Sequence, residues 1–292
     1  MAMDMAKIQI YVEDISDGTE SLKISFINDC DESKVSSLVK YKSCCTLSSE
    51  SCAEDFESYP APCACPNECE SSCSCALGGN IAYNHGILAE KYLNPKTVPI
   101  IECSKFCTCN AACRSAVVQK GITYQLQVFK TPSKGFGVRT LEFIPKLAFV
   151  CEYAGEIIDV AELRERMKCR TSQEPNYVFV LKEHSSCNSV LTIIDPTFIG
   201  NVGRYLNHSC SPNLVPVPVR ANSMVPRICF FAKEDIEPSQ ELTYNYAEQF
   251  DFNETMLNES QREVAVNKSN RKCYCGKSNC IGYLPLDTNW LI

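Results

Sequence analysis

The sequence predicts a mainly β protein with a cysteine-rich unit on either side of the β region, and three observations carry that expectation. Short strand-like runs follow one another through residues 124–246 with a single helical stretch among them, cysteines cluster before and after, and no phosphate-binding loop interrupts the series. Strands without intervening helices argue against a doubly wound parallel sheet. With 292 residues, 45% of them hydrophobic, the chain can bury one full core and a smaller second unit.

The N-terminal region, residues 1–49, stands apart by charge. The first 60 residues hold 12 Asp/Glu against 5 Lys/Arg, whereas the other 232 hold 23 of each, so the formal charge of -7 resides at this end. The remainder has no basic excess of the kind that drives non-specific nucleic-acid binding, and a basic peptide is the easier partner. The runs KIQIYV and SLKISFI predict two or three strands there, or a mobile arm. The opening MAMDMAKIQIYVEDISDG lacks the basic end and apolar run of a secretory signal, and no stretch approaches 18 apolar residues, so a reducing, intracellular setting without membrane insertion is expected. The Asn-x-Ser/Thr matches at Asn207, Asn253, Asn258 and Asn267 then carry no glycan.

In a reducing compartment 21 cysteines point to metal rather than disulfides. CACPNECESSCSC and CSKFCTCNAAC supply nine of them: Cys63, Cys65, Cys69, Cys73, Cys75, Cys103, Cys107, Cys109 and Cys113. Zinc takes four thiolates in a tetrahedron, so separate sites would strand one sulfur. Three zinc ions need twelve positions, which nine sulfurs provide when three of them bridge two metals each. A disulfide framework is the alternative the compartment argues against. An iron–sulfur site is the alternative the C-x3-C-x-C spacing of Cys103, Cys107 and Cys109 argues against. Saturated thiolate sites leave no open position, so the metal is structural.

Beyond the cysteines, strands are expected at YQLQVFK (124–130), AFVCEY (148–153), YVFVL (177–181), VLTIID (190–195), RICFFA (227–232) and ELTYNY (241–246). DVAELRERM predicts the one helix, with Asp159 and Glu162 at capping-box spacing. GKS at Gly276 has Arg271 where a phosphate loop needs glycine. Residues from about 248 to 270 are polar and aperiodic, as in a linker or lid. The tail CYCGKSNC offers Cys273, Cys275 and Cys280, three ligands in want of a fourth; Cys210, within NHSC, is the candidate, unless it is an ordinary buried thiol.

Taken in this order with KGFGVR, CEYAGE, GRYLNHSCSPN and ELTYNY, the cysteine units resemble the SET-domain lysine methyltransferases of the Suv39 class over residues 50–287. The resemblance implies a SET-domain β-fold in which ELTYNY threads under a loop at GRYLNHSC, a pseudoknot that periodicity alone could not reveal. It divides the chain into the acidic region 1–49, a trinuclear zinc pre-SET unit at 50–122, a catalytic SET domain at 123–247, a linker at 248–268 and a small zinc-binding post-SET unit at 269–287. It implies that S-adenosylmethionine lies against Lys134, Gly135, Phe136, Tyr177, Arg204, Asn207 and His208, with His208 acting by hydrogen bonding and not as a nucleophile.

The reaction so implied has its own demands. A lysine with a pKa of about 10.4 is neutral in roughly one molecule in a thousand near pH 7.4, and an aromatic-walled channel beside a sulfonium lowers the cost of losing its proton. Tyr153, Tyr244 and Tyr246 are the channel candidates. By resemblance Tyr246 is the catalytic tyrosine, and Tyr244 the position whose hydroxyl limits methyl accumulation, so mono- and dimethylation are expected. Asn245 stands where the family usually has Asp, which removes a charge beside the site. Phe136 replaces a common Trp in a turn whose backbone would carry the contact. The expected function is methylation of the histone H3 tail in chromatin, at lysine 9 by class, with lysine 36 also admitted, in the nucleus and on chromosomes, without sequence-specific DNA binding. The competing readings are a non-catalytic zinc-stabilised chromatin adaptor and an extracellular disulfide protein. His85 and His184 are expected at the surface.

Overall fold

The computed structural model describes residues 9–35, 39–48, 53–70, 73, 75, 81–93, 99–109, 113–171, 174–184, 189–247 and 271–285. The expected linker at 248–268 lies outside the described residues. In chain order the elements begin with β1 (Ile10–Val12), β2 (Ser25–Asn28), β3 (Lys40–Tyr41), β4 (Thr46–Leu47) and the single-turn α1 (Ala53–Phe56). Three two-residue strands follow: β5 (Tyr83–Asn84), β6 (Ile87–Leu88) and β7 (Ile100–Ile101). Then come β8 (Leu126–Lys130), β9 (Phe136–Thr140), β10 (Phe149–Glu152), β11 (Glu156–Ile158) and α2 (Val160–Lys168). The last strands are β12 (Phe179–His184), β13 (Ser189–Asp195), β14 (Ile199–Gly200), β15 (Asn207–His208), β16 (Leu214–Arg220), β17 (Arg227–Ala232) and β18 (Glu241–Tyr244).

Three sheets position the site. The largest runs β1-β2-β8-β9-β18-β15, and two four-stranded sheets run β10-β17-β16-β7 and β12-β13-β11-β4. β18 lies between β9, antiparallel with Leu242 opposite Val138, and β15, parallel with Asn207 opposite Thr243 and His208 opposite Tyr244. That parallel pairing brings ELTY against NH from a distant part of the chain and forms the pseudoknot. One apolar core unites these layers, with Phe26, Phe179, Phe230, Leu126, Val138 and Leu242 all essentially inaccessible. On the area scale of about 25 cal/mol per Å², each such side chain contributes about 1.5–3 kcal/mol.

The described residues among the first 48 form four strands, all tied into the fold, and not a loose arm. β2 pairs parallel with β8, β3 with β14 and β4 with β11, while β1 edges β2. Ile24 and Phe26 are fully buried in the main core. Asp14 organises the turn between β1 and β2, accepting from the N–H groups of Ser16 (2.9 Å), Gly18 (3.0 Å) and Ile24 (3.1 Å).

α2 forms as its capping box requires, the Asp159 carboxylate accepting the Glu162 N–H at 2.8 Å. Leu163 is its buried residue, and Arg166 reaches Glu156 at 2.9 Å and Asp195 at 2.8 Å, ladder partners on β11 and β13. β16, LVPVPVR, is a strand that pattern reading passes over because proline interrupts it. Pro216 and Pro218 share one parity in the ladder with β17, so their nitrogens face the other edge, and β7 pairs there only at Val219 and Arg220.

Candidate active site and metal centres

The nine sulfurs of the first cysteine unit form a core of their own. Cys63, Cys69, Cys73, Cys75, Cys103 and Cys113 are buried, with Cys65, Cys107 and Cys109 packed against them. Four-sulfur groups close enough for one ion are Cys63, Cys65, Cys69, Cys73; Cys63, Cys75, Cys103, Cys107; and Cys63, Cys69, Cys103, Cys109. Cys63, Cys69 and Cys103 recur, while Cys113 lies 3.8 Å from Cys103. A tetrahedron with Zn–S bonds of about 2.3 Å has sulfurs about 3.8 Å apart. The separations of 3.6 Å for Cys63–Cys69 and 3.7 Å for Cys75–Cys107 suit that geometry. Within the same unit Glu102, fully buried, ties the second cysteine run to the segment after it, its carboxylate accepting the N–H groups of Val117 (2.9 Å) and Val118 (2.8 Å) and the Gln119 side chain (3.0 Å).

A second group joins distant parts of the chain. Cys210 gathers with Cys273, Cys275 and Cys280, its sulfur 4.0 Å from that of Cys273. The tail is held further by Asn279, which donates to the Cys210 carbonyl at 3.1 Å, and by Arg271, which donates to the Glu174 carbonyl at 2.6 Å. The tail thus folds back over NHSC.

Beside it lies the turn before β9. Gly135, at φ 72°, adopts a left-handed conformation that suits glycine, and the turn closes through the Thr131 N–H to the Gly135 carbonyl at 2.8 Å. The Asn207 amide donates to the Phe136 carbonyl at 2.9 Å and to Glu241 at 3.0 Å, and Glu241 forms an ion pair with Lys134. The Phe136 ring turns inward, edge-on to Phe26 at 5.5 Å, so its backbone makes the contact with Asn207. A cavity of about 260 Å³ opens here, bordered by Lys134, His208, Glu241 and Cys275.

His208 is buried, which pushes its pKa down to about 4, so the imidazole is neutral near pH 7. Its Nδ1 accepts the Tyr246 N–H at 3.1 Å, and Nε2 lies 3.4 Å from the Cys210 sulfur. One ring therefore links the tyrosine strand to the tail's four-sulfur group. Arg204 stacks over the rings of Tyr177 (4.3 Å) and Tyr205 (5.0 Å) and donates to the Pro196 carbonyl at 3.0 Å.

The three expected tyrosines converge. Tyr244 lies with its ring centroid 4.8 Å from that of Tyr246 and 6.4 Å from that of Tyr153. Tyr246 donates its hydroxyl to the Leu206 carbonyl at 2.8 Å, and Tyr153 to the Tyr177 carbonyl at 2.5 Å. Burial, above all, raises the pKa of both phenols, Tyr153 well above the usual value. Both keep their protons at neutral pH and neither can act as a base; what they offer a neighbouring amine is oxygen lone pairs and ring faces.

Every expected site residue of the β region thus falls in one connected neighbourhood. Sequence reading missed Phe230, which backs Tyr244 at 4.8 Å, and Phe179, 5.6 Å from Tyr153. It also missed Asn201, which accepts the Gly203 N–H at 2.9 Å and donates to the Glu152 carbonyl at 2.9 Å. Phe179 and Phe230 were legible as strand residues but not as walls. His85 is exposed, as expected, and the His184 side chain lies outside the described residues. No described helix is long and apolar enough to cross a membrane.

Comparison with known proteins gives matches to the SET domain over residues 135–247 and to the Pre-SET motif over residues 16–116. The histone-lysine N-methyltransferase SETMAR of Rattus norvegicus is 46% identical over 192 residues, 65% of this chain and 60% of the relative's own length. The matched stretch is therefore less than two thirds of that relative. The crystal structure of the methyltransferase domain of human SETMAR superposes with a TM-score of 0.76 at 35% identity, covering 94% of this chain and 98% of that one. The structure of KRYPTONITE in complex with mCHH DNA, H3(1-15) peptide and SAH matches with a TM-score of 0.71 at 30% identity, covering 94% of this chain and 53% of that one.

Proposed function

The chain belongs to the SET-domain histone-lysine methyltransferases that carry a pre-SET unit, and from that premise we propose that it transfers a methyl group from S-adenosylmethionine to a lysine of the histone H3 tail. The observation that carries the reading is the convergence of Tyr153, Tyr244 and Tyr246 beside β15, the strand that holds Asn207 and His208 and pairs with β18. Lysine 9 is the favoured target. The peptide held by the related KRYPTONITE spans H3 positions 1–15, which include 9 and exclude 36.

S-adenosylmethionine would supply an electrophilic methyl on a sulfonium. Lys134, Gly135, Phe136, Tyr177, Arg204, Asn207 and His208 would hold it, a set whose turn, carbonyls and stacked guanidinium form one continuous border. The rings of Tyr153 and Tyr244, buried, and of Tyr246, half-buried, would desolvate an entering ammonium and so lower the cost of its deprotonation, about 4 kcal/mol for an unperturbed lysine. The Tyr153 and Tyr246 hydroxyls, fixed by bonds to backbone carbonyls, orient the amine, and alignment is the main requirement of in-line transfer. A hydroxyl at Tyr244 crowds a third methyl, so mono- and dimethyl-lysine are the products.

The nine sulfurs of the pre-SET unit would hold three structural zinc ions, with Cys63, Cys69 and Cys103 shared between sites and Cys65 and Cys73, Cys75 and Cys107, and Cys109 and Cys113 completing them. A fourth would be held by Cys210, Cys273, Cys275 and Cys280. The divisions at 50–122, 123–247 and 269–287 follow these units, and the setting is chromatin in the nucleus. Mass spectrometry of H3 peptides incubated with the cofactor tests the reading: methyl addition at lysine 9 is expected, addition at lysine 36 alone moves the target, and no addition refutes the activity. Dominant trimethyl-lysine from the unaltered chain overturns the product assignment, and Tyr244→Phe is expected to increase it.

A further inference from the structure

The acidic N-terminal segment reaches the cofactor border through one side chain. β3 pairs in parallel with β14, Lys40 opposite Ile199 and Tyr41 opposite Gly200. The Lys40 N–H donates to the Phe198 carbonyl at 2.8 Å and the Lys42 N–H to the Gly200 carbonyl at 3.0 Å. Directly after β14 comes the short 3-10 turn Val202–Tyr205, which carries Arg204 and Tyr205. The first N–H groups of such a turn have no partner within it. Asn201 takes the Gly203 N–H, and the Tyr41 hydroxyl takes the Val202 N–H at 3.4 Å. That same hydroxyl donates to Glu20 Oε1 at 2.9 Å.

Glu20 is itself anchored. It sits in the turn between β1 and β2 that Asp14 organises, and its neighbour Ser21 donates its hydroxyl to the Ile122 carbonyl at 2.9 Å. The turn has no slack on its other side either: a Cβ at Gly203 would stand 2.5 Å from the Glu152 carbonyl. Tyr41 is therefore wedged between a fixed carboxyl below and the first amide of the Arg204 turn above.

Resting on the methyltransferase reading, we propose that Tyr41, backed by Glu20, is a positioning residue that sets the Val202–Tyr205 turn and through Arg204 and Tyr205 the affinity for S-adenosylmethionine. The N-terminal segment is on this account part of the cofactor site, though it touches no reacting atom.

The test uses the full chain with its zinc. Tyr41→Phe keeps the ring and removes the bridge; it is expected to raise the Kd for S-adenosylmethionine, read by calorimetry, about fivefold, the weight of one ordinary hydrogen bond, with the KM for the H3 peptide unchanged. Amide exchange at Val202 in the cofactor-free protein should quicken in the same variant. Lys23→Ala, which breaks an exposed ion pair with Glu13 in the same segment and touches none of these groups, should keep the unaltered affinity. The proposal is overturned if Tyr41→Phe binds cofactor as the unaltered chain does, if the peptide KM rises in step, or if Lys23→Ala reproduces the effect. An unaltered chain that binds no S-adenosylmethionine sinks the methyltransferase reading itself, and this inference with it.

Discussion

Two buried regions of this molecule are held by different forces. Among the described residues of 63–75 and 103–113 the buried side chains are those of six cysteines and Ser104, and the strands nearby, β5, β6 and β7, are two residues each. Around Phe26, Phe179 and Phe230 the inaccessible side chains are hydrocarbon, and strands of four to seven residues pair across three sheets. A chain that buries few apolar groups cannot offset its ordering entropy by packing, so ligand bonds take that role, and the shape of the unit follows from ligand geometry. The SET core needs no such help, except where His208 ties Tyr246 to Cys210. That ring is where the two modes of stabilisation meet.

Removing metal should separate the regions most sharply. A strong chelator at neutral pH is expected to release about four zinc ions per chain and to unfold the cysteine unit and the tail, because structural zinc contributes on the order of 10 kcal/mol to such sites. Hydrogen exchange would show rapid loss of protection in residues 99–109 and persistence at β8, β9 and β17; simultaneous loss everywhere would erase the distinction. A finer comparison replaces one sulfur at a time. Cys103→Ser strikes a sulfur common to two of the close four-sulfur groups, and Cys65→Ser a sulfur in one, so metal analysis should find the greater zinc loss in the first variant.

In the carbon core, Phe230→Ala should cost about 3–5 kcal/mol of stability by denaturant unfolding, as large-to-small changes in tight cores do. Zinc content should stay unchanged. Because Phe230 backs Tyr244, the folded fraction should also make more trimethyl-lysine. The smallest effect concerns Glu20, whose pKa burial pushes up to about 7, Tyr41's hydrogen bond opposing and Glu152 and Asp14 adding repulsion. A carboxyl with a folded pKa above its unfolded one favours folding most at low pH, so its contribution is lost as pH rises from about 4.5 to about 7. Cys151 and Glu152 of β10, Tyr41 of β3 and Asp14 are the titratable groups near it, and Arg227 pairs with Glu152. Glu20→Gln should flatten that part of the curve and raise the thermal midpoint at pH 8 by about 2 °C.

The features legible from sequence were those encoded over short spans. Cysteine spacing announced the sulfur clusters, the Asp159–Glu162 pair announced α2, and β-rich runs announced β8, β10, β12, β13, β17 and β18 to within a few residues. Each depends on neighbours within one or two turns of chain, where ligand reach and side-chain period act directly. β16 escaped notice because its prolines count against a strand until a partner exists to leave their edge free.

Folding alone decided which short pieces met. β3 and β14 are two residues each and could pair with many edges; only the completed core sets Tyr41 under Val202. The same holds for the three tyrosines, whose rings converge because β18 lies between β9 and β15, and for Cys210, which finds the tail across 63 residues. Local pattern can specify what a segment is, because the relevant energies act along the chain. It cannot specify whom the segment touches, because that is set by burying the whole apolar surface at once.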